Sequence, residues 1–463
     1  MSAPLILATN SIKDTGYNVA NSCRFEDASD DYLSRSVSSS GNRRTWTFSA
    51  WVKRANTTQQ YQNMFAAGLN NIRINFSNQN IWVYDYNGSS FDFYLITNRL
   101  FRDVSAWYHI VVAVDTTQGT DSNRVKLYIN GVQETSFSTE TYPSQNHDTE
   151  ANTSGQNNVI GTDANSLGNN GFHGYMCEVV LIDGQQLDPT SFGEFNEDSP
   201  THWQPIDVSG LTFGTNGFHL DFEDSSALGN DVSGNNNDFT PSNLAATDQS
   251  TDTCTNNFAT LNPLDVATSG TSTFAEGNLK MTTDKQSRTT FGASSGKWYV
   301  EAKYVNNTAA NGIAQMDGSN TFNTNSIVLF GSSNGTISVS GSDTDTNVGA
   351  GTAIADNSII MFAMDLDNNR LYLGKNGSWW TDGSGFVSSD LDSFKTITRV
   401  TGDTFGFKCS NYSGTGTTEW NFGSPPFTIS SGNADGEGFG NFEYAVPSGY
   451  FALCSKNLSE YGG

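Results

Sequence analysis

Hydrophobic and polar positions alternate along much of this chain with a period of two, the spacing of half-buried strands. Trp46–Arg54 sets large apolar residues between small or polar ones, and Ile72–Phe76 and Ile81–Tyr84 repeat the pattern. Trp107–Asp115 is longer and turns apolar on both faces towards its end, which predicts a central strand. Arg124–Gln133 runs through Asn130-Gly131, a pair that accepts the positive φ angles of a tight hairpin turn. Tyr175–Ile182 is a further apolar run of strand length, closed by Asp183-Gly184. One short helical turn is predicted nearby, with Asp188 as cap and Pro189 in its first position.

The pattern thins over residues 225–275. Ser225–Pro241 is rich in Asn, Asp, Ser and Gly, which is turn chemistry. Phe222, Phe239 and Leu244 nevertheless need cover, so this stretch reads as an ordered linker lying on the strands before it. Alternation resumes strictly in Gly296–Tyr304. Ile359–Leu373 then holds two strands around the polar turn Asp367-Asn368-Asn369, and Asn376-Gly377 marks another tight turn. Phe405–Cys409 and Gly449–Cys454 are further strand-length runs, and no short internal repeat connects the two halves.

Four of these motifs in order, Thr45–Lys53, Trp107–Val112, Val125–Val132 and Tyr175–Ile182, resemble the strands of a laminin-G or concanavalin-like jelly roll. In the second half, Gly296-Lys297-Trp298-Tyr299-Val300-Glu301, the Ile359–Gly377 hairpins and Asn421-Phe422-Gly423-Ser424-Pro425-Pro426-Phe427 resemble the core of a SPRY domain, which binds partners through its loops. The expected architecture is all-β, two tandem antiparallel β-sandwiches: an N-terminal arm over residues 1–20, a laminin-G/concanavalin-like sandwich over 21–224, the linker over 225–275 and a SPRY-like sandwich over 276–463. The first of these folds hosts lectins, glycosidases and adhesion modules alike, so the resemblance fixes fold more than function.

Composition agrees with short strands and many turns. Charged residues make up only 15%, and aromatics, 12%, supply buried area that a 36% hydrophobic share would otherwise leave thin. The net charge of −25 repels phosphate backbones and anionic lipid, which argues against nucleic acid as a partner, and no apolar stretch approaches the roughly 20 residues of a membrane span, which argues against membrane insertion. Five scattered cysteines, Cys23, Cys177, Cys254, Cys409 and Cys454, form no Cys-x-x-Cys pair, which argues against zinc. Their odd number points to buried free thiols made in a reducing cytoplasm. Met1–Ala8 lacks the basic start and the apolar length of a signal peptide.

Catalytic residues are expected to be none. Concanavalin-like glycosidases carry closely spaced carboxylates on one strand, and neither Glu26-Asp27 nor Asp221–Asp224 has that spacing. The five histidines, His109, His147, His173, His202 and His219, stand in no hydrolase or metalloprotease motif. The jelly-roll resemblance implies calcium at a sandwich rim, with Asp115 and Asp163 as ligands, because calcium takes hard oxygens in flexible geometry. Glycan contact is expected from Tyr84 and Tyr86 at one loop tip and from Trp379 and Trp380, which cannot both point inward from an extended strand.

The order of modules, the opening Ser22–Arg35 segment and the tail Gly440–Leu458 together resemble virion proteins of tailed bacteriophages, marine ones especially. The resemblance implies a non-enzymatic fibre, tail appendage or capsid decoration, assembled in the host cytoplasm and exposed on the virion. Its implied partners are other virion proteins, a host cell-surface glycan or protein, and further copies of itself. A cement protein without host affinity and a polysaccharide depolymerase are the alternatives.

Overall fold

The structure, a computed structural model, describes residues 16–68, 72–266, 272–283, 286–306, 309–317, 326–330, 336–339, 346–347, 354–410 and 416–462. The chain divides between Thr255 and Asn256 into two compact units. The 225–275 segment is therefore shared out: its first part belongs to the first unit and its remainder, from Asn256, to the second. Of the expected N-terminal arm, residues 1–15 lie outside the described residues.

Two large antiparallel sheets build the first unit, with a two-stranded ribbon of Gly193–Phe195 and Trp203–Pro205 beside them. One runs Val132–Gln133, Val125–Ile129, Trp107–Asp115, Thr45–Arg54, Gly174–Asp183, Ser22–Phe25, Gln249–Ser250, with Phe218–Leu220 also on Gly174–Asp183. The other runs Phe137–Thr141, Phe91–Thr97, Asn80–Tyr86, Ile72–Ser77, Gln62–Ala67, Asn157–Ile160, Tyr32–Ser36, Thr240–Ser242. Alternation decides what lies between them. Trp46, Phe48, Ala50 and Val52 point inward and meet Phe65, Ile74, Val83 and Phe93 from the opposite sheet. Phe48 stacks on Phe65 with ring centroids 5.1 Å apart. Each of the Val, Ile and Phe side chains among them contributes about 1.5–3 kcal/mol by leaving water. Phe222, Phe239 and Leu244 close onto this core, which is the cover their apolar character required.

The first sheet is covered on its outer face as well. Val111, Val180 and Ile182 pack against Phe192, Val208 and Phe213, and Trp51 and Cys177 pack against Val19 and Trp203. The predicted helical turn forms at Pro189–Ser191, capped by Asp188, which accepts from the Thr190 amide. Asn130 and Gly131 take the positive φ angles, 48° and 78°, that the hairpin turn needs. In the Gly174–Asp183 strand the register against Thr45–Arg54 shifts between Cys177 and Val180, and Glu178 takes φ 49° there. This bulge turns Glu178 towards His219, 3.0 Å away.

The second unit is again two sheets around one core, antiparallel but for one short strand near the C-terminus. Its larger sheet centres on Lys297–Tyr304, flanked by Ser358–Asp365 and Gly416–Asn421; the smaller centres on Phe405–Ser410 between Gln286–Thr289 and Ala310–Gln315. Trp298, Val300, Ala302 and Tyr304 point into the core with Phe362, Phe407 and Trp420. On the other face, the buried Glu301 explains why its motif carries an acid. Its Oε1 accepts from Tyr299 and the Tyr444 amide, and its Oε2 from Asn421 and the Glu443 amide, pinning the C-terminal segment across the sheet. Phe451–Ala452 returns as a strand parallel to Lys297–Tyr304 and leads into Ser455–Tyr461, a helix the alternation pattern did not predict. No described helix is long and apolar enough to cross a membrane.

Candidate functional site

The outer face of the first unit's second sheet is left partly open, and it is aromatic. Ile81 and Val83 go to the core, so Trp82, Tyr84 and Tyr86 stand on the opposite face. Phe93 and Leu95 likewise point inward, which puts Tyr94 outward opposite Tyr84. A bulge between Asp85 and Tyr86 pairs Tyr86 with Phe91 and leaves Asp92 without an opposite residue. The rings form one continuous stripe. Tyr61 meets Trp82 at 5.6 Å, Trp82 meets Tyr94 at 5.4 Å, Tyr94 stacks on Phe91 at 4.4 Å, and Phe91 meets Tyr86 at 5.2 Å. Phe91 is 46% exposed. Tyr61, Trp82, Tyr86 and Tyr94 are half-buried.

Polar groups flank the stripe. Arg73, opposite Tyr84, donates to the Tyr84 hydroxyl at 2.9 Å and pairs with Asp163 at 2.5 Å. Asn75, opposite Trp82, donates to Asn63. These polar groups are engaged with one another, Asn75 fully buried and Arg73 paired with the buried Asp163, so what the stripe offers a pyranose is a surface of rings for its C–H face.

Three potential metal ligands converge beside the tip of the same hairpin. Asp85 points inward and is buried; its Oδ2 lies 3.0 Å from His147 Nε2, and Asp92 Oδ2 lies 4.0 Å from that nitrogen. The ligand atoms all fall within 4.8 Å of one another, and the buried Asp85 Oδ1 has no hydrogen-bond partner. His147 is held from the first sheet, its carbonyl accepting from the Thr116 hydroxyl at 2.7 Å. Asn87 donates to Asp92 at 3.0 Å. The hydrogen bond to Asp85, against the opposing effect of burial, raises the His147 pKa.

The residues expected from the sequence are differently placed. Asp115 accepts from Thr45, Thr117 and Gln118, and Asp163 is engaged by Arg73, Asn170 and the Asn165 amide. The two carboxylates share no partner. Tyr84, 6% exposed, is the floor of the stripe, and Tyr86 lies at its end. Trp379 and Trp380 point to opposite faces of their strand, as expected, yet are only 5% and 2% exposed. Trp380 enters the core, while Trp379 is covered by Tyr299 and Phe442, because the C-terminal segment lies over that face. Neither offers a ring to a sugar. Trp82, Tyr94, Phe91 and Tyr61 are the residues the sequence reading passed over, although the Ile81–Tyr84 alternation already put Trp82 opposite the core.

One pair has the look of a nucleophile and base: Ser49 Oγ lies 2.8 Å from His109 Nε2. Trp203 Nε1 donates to His109 Nδ1 at 2.9 Å. An indole nitrogen only donates, so Nδ1 accepts and the ring proton sits on Nε2. His109 therefore donates to Ser49 and has no lone pair there to take its proton. Burial pushes the His109 pKa down to about 3. Both residues are buried.

A laminin-G family model described as Concanavalin A-like lectin/glucanases superfamily matches residues 27–187. No curated protein matches the sequence. Among solved structures, the chain is similar to the SPRY domain of human HERC1 at 10% identity and TM-score 0.27, over 35% of this chain and 96% of that one. It is similar to a candidate carbohydrate binding protein from Bacteroides ovatus at 14% identity and TM-score 0.33, over 49% of this chain and 58% of that one. A native heptameric SAP-like pentraxin from Limulus polyphemus is similar at 16% identity and TM-score 0.28, over 37% of this chain and 80% of that one.

Proposed function

We propose that this chain is a non-enzymatic recognition protein that takes carbohydrate on the aromatic stripe of its first sandwich. The observation that carries the reading is the run of rings from Tyr61 through Trp82, Tyr94 and Phe91 to Tyr86, with Phe91 exposed and the Arg73–Asp163 ion pair at its edge. The lectin-superfamily match over residues 27–187 includes every one of these residues and supports the same reading. A divalent cation belongs to the proposal, held by Asp85, Asp92 and His147 rather than by Asp115 and Asp163. Two carboxylates with an imidazole suit manganese or zinc better than calcium, which prefers oxygen alone. Bound there, the cation supplies a fixed positive charge that locks the hairpin tip carrying Tyr86 and Phe91.

The wider setting we propose is the virion of a tailed bacteriophage, with the stripe facing host-surface glycan and other copies or virion proteins as neighbours. Its support is the resemblance of the Ser22–Arg35 and Gly440–Leu458 segments and of the module order. Binding of the purified protein to host envelope polysaccharide, and its location in particle images, test the two parts separately. Virion association without polysaccharide binding would leave a cement protein.

A depolymerase is the second reading, because Asp85 and Asp92 bring carboxylate oxygens within 4.8 Å. Retaining glycosidases place their two carboxyl groups about 5–5.5 Å apart. Against it, Asp85 is 1% exposed and turned inward, away from a sugar lying on the stripe. Incubation with polysaccharide that yields new reducing ends would favour it.

A further inference from the structure

The sulfurs of Cys177 and Cys254 lie 3.7 Å apart. Cys177 sits on the Gly174–Asp183 strand and is buried under Trp51 and Trp203; Cys254 is half-buried against the same cluster. Neither is there by the chance of a loose loop. Asp252, two residues before Cys254, is buried and takes Lys53 Nζ at 2.7 Å and Trp107 Nε1 at 3.2 Å, while its carbonyl accepts from Ser22 at 2.6 Å. Thr255, the next residue, accepts from the Val19 amide at 3.2 Å. The 252–255 segment is thus tied down on both sides of the thiol, and it is the last segment of the first unit before Asn256.

We infer that Cys177 and Cys254 are a built site for covalent oxidation, closing to a disulfide when the protein passes from a reducing to an oxidising medium. The co-reactant is a small-molecule disulfide of the glutathione class. The Cys254 thiolate attacks one of its sulfurs and expels one small thiolate, giving a mixed disulfide. The Cys177 thiolate then attacks the Cys254 sulfur and expels the second. Two protein thiols lose two hydrogens, one small disulfide becomes two small thiols, and one sulfur–sulfur bond has moved into the protein. Burial first, then the neighbouring Cys177 and Glu178, hold the Cys254 thiol above its ordinary range, so the exchange is slow. The bridge joins positions 77 apart in sequence, a long loop, and long loops give the larger restriction of the unfolded chain. It adds nothing to the binding face and acts as a brace on the end of the first unit. Cys23, Cys409 and Cys454 are buried elsewhere and serve as internal controls.

The full-length protein is reduced, desalted and incubated with oxidised glutathione, and its free thiols are counted after denaturation. The count should fall from the five of the sequence to three, and peptide mapping should join Cys177 to Cys254. The melting temperature should rise by roughly 5 °C and fall back with reductant. Cys254→Ser should retain its four thiols through the same treatment and show no reductant-dependent shift. Five thiols remaining, glutathione left standing on Cys254, or a bridge mapped to another pair would each overturn the inference.

Discussion

The indole nitrogen of Trp203 donates to Nδ1 of His109 at 2.9 Å, and that one bond decides the chemistry of the ring it touches. With Nδ1 occupied as an acceptor, the imidazole presents Nε2–H to Ser49, the reverse of what a general base requires. A Ser–His contact that geometry alone would flag is thereby a structural link on the outer face of the first sheet.

Two results follow for this cluster. Nitrogen NMR of His109 should show a neutral ring protonated at Nε2 from pH 8 down to about pH 4, since burial pushes its pKa down to about 3. Trp203→Phe leaves Nδ1 buried without a donor and should cost about 1–3 kcal/mol by denaturant titration. Titration of His109 near neutral pH would contradict the assigned tautomer and its burial.

Trp51 stacks on the same ring at 4.7 Å and is 4% exposed. Trp51→Ala should cost about 3–5 kcal/mol of stability in equilibrium unfolding. A loss under about 1 kcal/mol would mean that the cover over this face is dispensable.

The bulge at Glu178 creates a pH-dependent contact. Burial disfavours a charged His219, but the hydrogen bond and charge of Glu178, with Asp221 and Asp231, outweigh it and raise its pKa. A raised histidine pKa contributes stability that is complete below the unfolded value, about 6.5, and is lost as pH rises through the folded value. As pH rises above about 6.5 the wild type should therefore lose stability relative to His219→Gln. Parallel curves for the two proteins would remove the pair from the account.

The cation proposal has its own test. Adding manganese to chelator-treated protein should raise the melting temperature, and zinc should act likewise, because the ligand set carries one imidazole. Asp92→Asn, a half-buried position, should abolish the shift. An equal shift in wild type and variant would place the ion elsewhere.

Much of the fold was legible in the residues. Period-two alternation marked Thr45–Arg54, Trp107–Asp115 and Lys297–Tyr304, and Asn130-Gly131 and Asn376-Gly377 marked turns that take positive φ. The site was less legible, because alternation says which residues share a face but not which face is covered. Trp379 and Trp82 look alike in sequence; one lies under Phe442 and Tyr299, the other packs on Tyr94, which in turn stacks on the exposed Phe91. The convergence of Asp85, Asp92 and His147 depends on a bulge and on a loop held 62 residues away in sequence, and neither leaves a local pattern.

The most direct test is affinity of the purified protein for host envelope polysaccharide, measured for wild type, Trp82→Ala and Phe91→Ala with melting temperatures as folding controls. Saturable binding by the wild type is expected, with at least roughly tenfold weaker binding by each variant while both variants remain folded at the assay temperature. Undiminished binding by either variant, or wild-type protein that binds no carbohydrate, would contradict the proposed site.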